Sequence, residues 1–231
     1  GLQGPSWEMD LLAVHPDASG QGLGTRLIRA AAAHGARVAM LARAVVAAEN
    51  EPSARAFGRV GFQAAGRRCR LMILRPGGQQ PATAPDPEVE VRPAESLAEV
   101  EPWLPALPAP RALSGAGLTL LVAREAGRPA GYVELLEVQT LLYRGVWIES
   151  LAAATQRARV ALLRAALAEA AGRGLDEIGA MVPGSDLPWQ GALVALGFRS
   201  LGDFDWLVAR LPLPGPPAVA ARPGSAHAGG T

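Results

Sequence analysis

The residues of this chain whose types and spacing could do chemistry begin with one turn, Val14-His15-Pro16-Asp17-Ala18-Ser19-Gly20-Gln21-Gly22-Leu23-Gly24-Thr25. It follows residues 8–14, which begin by alternating acidic and apolar side chains as a half-buried strand does, and it opens an Ala-rich helical pattern over 24–35. The first N–H groups of a helix have no partner inside the helix, and the helix dipole adds positive potential at that end. Glycines there let the backbone approach a ligand with no side chain in the way. Strand, glycine turn and helix start therefore read as a pyrophosphate cradle for a nucleotide-like cofactor.

The elements around the turn alternate. After the helix at 24–35, residues 37–46 read as a Val/Ala-rich strand, 50–60 as a second helix with Asn50 or Ser53 as N-cap and Gly61 just past its end, and 62–74 as one or two strands. Pro, Gly-Gly and Gln-Gln mark 77–87 as a linker. Beyond it the reading is a strand at 88–92, a short helix at 96–107, a hairpin of 119–124 with 129–138, and a strand at 146–152. A helix at 156–172, a strand at 177–182, a helix at 186–196 and a last strand region at 198–211 follow. Residues 213–231 are Pro/Gly/Ala-rich and read as disordered.

The two halves repeat. Leu27-Ile28-Arg29-Ala30-Ala31 matches Leu162-Leu163-Arg164-Ala165-Ala166, and Val60-Gly61-Phe62 matches Leu196-Gly197-Phe198. That register sets Asn50 opposite Asp186 and puts Arg157 and Arg159 where the first copy has Gly22 and Gly24. The first copy has no counterpart of residues 88–145.

Composition narrows the function classes. The 231 residues carry a formal net charge of +1, which provides no general pull toward nucleic acid or anionic membrane. One cysteine excludes an internal disulfide and a cysteine-rich zinc site, and three scattered histidines argue against a histidine metal site. No apolar run is long enough to span a bilayer and no secretory pattern is present, so the chain reads as cytoplasmic. It begins at Gly1 without an initiator methionine, which reads as a fragment or a processed product. With aromatics at 5%, the core must be built from Ala, Leu and Val.

Val14-His15-Pro16 followed by Gly22-Leu23-Gly24, and then Asn50, Ala54 and Gly61-Phe62, resembles the GNAT superfamily of acyl-coenzyme-A-dependent N-acetyltransferases. Ser19 stands where that family's loop has Arg or Gln. The glycine order fits neither a dinucleotide fingerprint nor a Walker loop. The resemblance implies a mixed α/β fold with a mostly antiparallel central sheet flanked by helices, in two tandem modules. Residues 1–76 would be the C-terminal half of one module, and 88–212 a second, degenerate module. It implies acetyl-CoA as acyl donor. The pantetheine arm would pair with Leu12, Ala13 and Val14, and the diphosphate would rest on Ser19, Gly20, Gln21, Gly22, Leu23, Gly24 and Thr25. Asn50 would orient the thiol end or the pantetheine amide, and Phe57 would belong to the cofactor-binding set.

That family often has a tyrosine acid where Phe57 stands, and some members have a glutamate where Val45 stands. Glu8 and Asp10 are then the candidate catalytic groups, facing the amine directly or through water. The implied reaction is transfer of an acetyl group to a primary amine, on a small molecule or a peptide, by direct attack in a ternary complex. No metal, nucleic acid or membrane is implied. The alternative is an inactive acyl-CoA-binding or assembly protein on the same scaffold. Each candidate also has a plainer role. Glu8 and Asp10 suit the solvent face of a strand, Asn50 an ordinary N-cap, His15 a solvated turn, Cys69 a small buried hydrophobe, and Arg26, Arg29 and Arg55 an exposed helix face.

Overall fold

The computed structural model describes residues 6–9, 11–66, 68–75, 86–103, 114–115, 118–139 and 144–213. In chain order the strands and helices are β1 (Ser6–Met9), α1 (Leu23–Gly35), β2 (Leu41–Ala47), α2 (Glu51–Gly58), β3 (Gln63–Ala64), β4 (Cys69–Leu74), β5 (Val89–Pro93), β6 (Ser114–Gly115), β7 (Leu118–Glu125), β8 (Arg128–Gln139), β9 (Arg144–Ala153), α3 (Gln156–Gly172), β10 (Glu177–Pro183), α4 (Leu187–Ala195) and β11 (Arg199–Arg210).

The pattern of β2 shows why it is a strand. Ala42, Ala44 and Val46 are buried while Arg43, Val45 and Ala47 are half-buried, the period of two that a strand with one covered face requires. Its covered face packs with Ile28 of α1 and Phe57 of α2, and with Val60 and Phe62. A larger core in the second half joins Ile148, Ile178 and Val182 of the sheet to Leu162, Leu163 and Ala166 of α3 and Leu193 of α4. On the opposite face of that half, Val100, Leu120, Val122 and Tyr132 form a third cluster.

All eleven strands form one sheet. Its order is β1-β2-β11-β4-β10-β9-β8-β7-β5, with β3 also on β11 and β6 on β7. The pairing is antiparallel except at β1 with β2 and β9 with β10. The repeat therefore appears twice as a parallel strand pair followed by a helix, and the C-terminal strands are exchanged. The last strand of the chain, β11, lies on β2 of the first copy, and β4 of the first copy lies on β10 of the second.

Three elements differ from the sequence-based expectation. The strand foreseen at 8–14 ends at Met9, because β2 takes β11 as its neighbour along its whole length but β1 only as far as Ala44. The strand foreseen from residue 37 starts at Leu41, after a turn in which Ala39 N–H donates to Gly35 O at 2.9 Å. The helix foreseen at 96–107 is two 3-10 turns, Leu97–Glu99 and Glu101–Trp103, where it is described. Pro102 has no N–H to extend a helical ladder there. Of the segments read as linker (77–87) and tail (213–231), residues 77–85 and 214–231 lie outside the described residues.

Candidate functional site

The four α-helices begin in two different ways. At α2, Asn50 Oδ1 accepts from Ser53 N–H at 3.1 Å. At α3, Thr155 Oγ1 accepts from Ala158 N–H at 3.0 Å, and at α4, Asp186 Oδ1 accepts from Trp189 N–H at 3.1 Å. The start of α1 has no side-chain cap. Its N-cap is Gly22, at φ 75°, and Gly20 stands at φ 77°. Such left-handed conformations cost an L-residue roughly 1–2 kcal/mol, so glycine is required by backbone shape. The first intrahelical bond runs from Arg26 N–H to Gly22 O at 3.1 Å. The N–H groups of Leu23, Gly24 and Thr25 precede it and have no partner within the helix.

These amides open onto a cleft of about 440 Å³. One wall is the turn itself, with Ser19, Gly20, Gly22, Gly24 and Thr25. The floor includes Leu12 and Val14, and the far wall is α2, with Ser53, Arg55 and Arg59. Residues 11–15 belong to no strand, so Leu12, Ala13 and Val14 sit where β1 has left the ladder. A parallel strand pair that parts in this way leaves room for an extended ligand to add to the sheet edge. Uncapped amides, two arginines and an apolar floor together suit an anionic head attached to an extended, partly apolar arm.

Several expected residues take other positions. Gln21 is exposed and its amide donates to Asp17 O at 3.4 Å. Asn50 uses its Oδ1 to cap α2, and Phe57 is 4% exposed, packed edge-on against Phe62 at 4.9 Å between ring centres. That makes Phe57 a core residue behind the cleft wall. His15 sits in the exposed turn, where its Nδ1 accepts from Asp17 N–H at 3.3 Å. Burial pushes the Cys69 thiol above its ordinary value, with Asp205 adding to the shift, so it is a protonated core side chain.

Glu8 lies on the face of β1 away from α1. Its neighbour Trp7 occupies the α1 side, close enough that a Cβ on Gly35 would meet the indole at 2.4 Å. Glu8 is paired in register with Arg43 of β2 and accepts from Arg43 Nε at 2.7 Å. Arg43 Nη2 also reaches Glu149 Oε1 at 3.1 Å, and its guanidinium lies 5.1 Å from the Trp206 ring centre. Burial works against the Arg43 charge, but Glu149 and then Glu8 more than offset it, and its pKa is raised. Asp10 lies outside the described residues. The sequence reading missed Arg43 and Glu149. A lone charge inside an apolar strand was the available signal, but their meeting depends on the strand exchange.

The equivalent place in the second half is built differently. Arg157 pairs with Glu88 and with Asp86, the latter at 3.3 Å, and Arg159 donates to Gln156 at 2.6 Å. Trp189 holds the position that Ser53 has in α2. It is 7% exposed and belongs to the same core cluster as Ala158 in the first turn of α3. Where the first half has an open cleft, the second has a capped helix and a buried indole. A larger concavity, about 600 Å³, lies over Cys69, Asp186 and Trp206, but the helix end that borders it is already capped.

The fold that carries this cleft has counterparts among solved structures. A GCN5-related N-acetyltransferase from Sphaerobacter thermophilus matches over 87% of this chain and 72% of its own, at 18% identity and a TM-score of 0.51. A tandem GNAT protein from the clavulanic acid biosynthesis pathway matches over 89% and 75%, at 15% identity and 0.52. A Drosophila protein matches over 89% and 71%, at 16% identity and 0.59. Residues 2–71 match the FR47-like protein family. The chain shares the fold of these N-acetyltransferase structures. No protein of curated function matches it. Among the described residues no helix is long and apolar enough to cross a membrane, and no group of three or more His, Cys, Asp or Glu side chains could hold a metal ion.

Proposed function

We propose that this chain is a GNAT-type acyltransferase that takes an acetyl group from acetyl-CoA and delivers it to a primary amine on a small molecule or peptide, by direct attack in a ternary complex. The observation that carries the reading is the α1 start. It is the one α-helix start among the described residues without a side-chain cap, and it faces the open cleft. In this reading the donor's diphosphate rests on the amides of residues 20–25 with Arg55 and Arg59 opposite. Its arm runs along Leu12, Ala13 and Val14 toward Asn50. The amine must lose a proton and the leaving thiolate must gain one. Glu8, or Asp10 beside it, accepts the amine proton, directly or through water. The acceptor would enter from the face of β1 that carries Glu8. The side-chain cap at the start of α3 makes one donor per chain the expected stoichiometry. A cytosolic acetyl-CoA pool is the matching source.

A specific observation also favours a second reading, in which the chain binds acyl-CoA without turning it over. Phe57, at the position of the family's frequent acid, offers no proton and is sealed in the core. Alignment of reactants alone can supply much of an acyl-transfer rate, so the missing acid does not decide the matter. Titration calorimetry with acetyl-CoA and a thiol-release assay over a panel of amines separate the two. The transferase reading expects binding near one equivalent and amine-dependent thiol release, falling roughly 10²–10⁴-fold in Glu8→Gln. Binding with no release for any amine would establish the second reading. No binding at all would end both.

A further inference from the structure

Glu149 is the extra residue of a β-bulge. Leu135 of β8 pairs with Ile148 and the preceding Glu134 pairs with Ser150, which leaves Glu149 without an opposite partner in the ladder. A bulge re-aims a side chain, and this one sends a carboxylate out of the second module to a guanidinium of the first. Four steps across the sheet separate β9 from β2, yet Arg43 Nη2 and Glu149 Oε1 are 3.1 Å apart. The same guanidinium holds Glu8 at 2.7 Å. All three side chains are partly shielded, with 25% of Arg43, 36% of Glu8 and 21% of Glu149 exposed.

We propose that Glu149 of the second module controls the orientation and proton affinity of Glu8 in the first, through the Arg43 guanidinium they share. Arg43 is then a positioning residue for the proton-accepting carboxylate. The inference rests on the transferase reading for its catalytic meaning, but its electrostatic content stands apart from it. Two carboxylates compete for one cation. The guanidinium alone would make Glu8 a weaker base, and Glu149 relieves that by drawing on the same N–H groups and by like-charge repulsion. Among the described residues, Arg43 from β2 pairs with Glu8, and Glu149 from β9 reaches the same guanidinium. Behind Arg43, β11 presents the uncharged Trp206. From α1, His34 packs on Trp7, on the far side of β1, at 5.3 Å between rings. The bulge thus gives the second module a task in the first module's chemistry, although its own helix start is capped.

The test is the titration of the Glu8 carboxyl followed by carbon NMR in the full chain, for wild type, Glu149→Gln and Arg43→Gln. Amide spectra verify that each variant is folded. Removing Glu149 leaves the guanidinium wholly to Glu8, so its midpoint falls. Removing Arg43 takes away the opposite charge, so its midpoint rises by about one unit or more. Arg43→Lys restores the charge and pulls the midpoint back down. The acid limb of the kcat/KM profile moves in the same opposite directions. A midpoint unmoved in Glu149→Gln, or moved the same way in both variants, overturns the proposal. If Arg43→Gln does not fold, Glu149→Gln decides, with Glu149→Asp as the rescue. Should wild type release no thiol with any amine, the transferase reading fails, and the titration still settles whether Glu149 acts on Glu8.

Discussion

At the scale of single residues, Gly24 separates a glycine needed for backbone shape from one needed for open space. Gly20 and Gly22 have left-handed backbones, so any side chain there strains the turn before it touches a ligand. Gly24 lies inside α1, where a Cβ would meet only Val14 Cγ2, at an ordinary 3.9 Å. A longer residue at Gly24 should therefore stabilise the helix, since Gly costs about 1 kcal/mol against Ala in a helix interior, while filling the cleft. Gly24→Glu also adds a negative charge where a helix start favours one and a diphosphate does not. The expected outcome is an unchanged or higher Tm with acetyl-CoA affinity lowered at least about tenfold, read by thermal unfolding and calorimetry on the same sample. Unchanged affinity would remove the diphosphate from the α1 start. The glycine turn was legible in the sequence because glycine spacing is a local property. The burial of Phe57 was not, because it depends on Phe62 folding back from the far side of α2.

At the scale of elements, the 3-10 turns after β5 are fastened by charge. Glu99 accepts from Arg92 Nη2 at 2.6 Å and from Arg124 Nη1 at 3.1 Å, tying the first turn to β5 and β7. The Arg92 hydrogen bond, aided by the Glu95 backbone N–H, holds the Glu99 carboxyl below the ordinary carboxylate range. A carboxyl whose pKa is lowered by folding contributes stability above its unfolded value, and that contribution is lost as pH falls through the folded value. The Tm difference between wild type and Glu99→Gln should be full above about pH 4.3 and should close as the pH drops below it. A difference constant down to pH 3 would contradict the assignment. The sequence marks α3 residue for residue, Gln156 to Gly172, because its cap and apolar period agree. The helix expected after β5 gives way to 3-10 turns, where Pro102 supplies no N–H to a helical ladder.

At the scale of the whole molecule, the exchanged strands make the modules inseparable. β4 lies between β11 and β10, and β11 lies between β2 and β4, so each half completes the sheet of the other. The full chain should unfold in a single calorimetric transition, and residues 88–213 expressed alone should show no cooperative unfolding. Without β4, both β10 and the first half of β11 lose a neighbour. Two separate transitions in the full chain, or a stable 88–213 fragment, would contradict this. The order of elements was legible because it is written along the chain. The exchange was not, since an antiparallel strand following a short helix pairs equally well with its own module or with the other one, and local pattern does not choose.

What the sequence determined alone is the set of local pieces: the glycine turn, the cap at Asn50, the hairpin at Gly127, and the alternation of strands and helices. Each follows from the conformational preferences of a few neighbouring residues, so proximity along the chain is enough to read it. Tertiary structure alone decided which helix start stays open and which is sealed, and that Arg43 stands between Glu8 and Glu149. Those outcomes depend on how a sheet shared by both halves brings distant side chains within hydrogen-bonding reach, which no stretch of neighbours encodes.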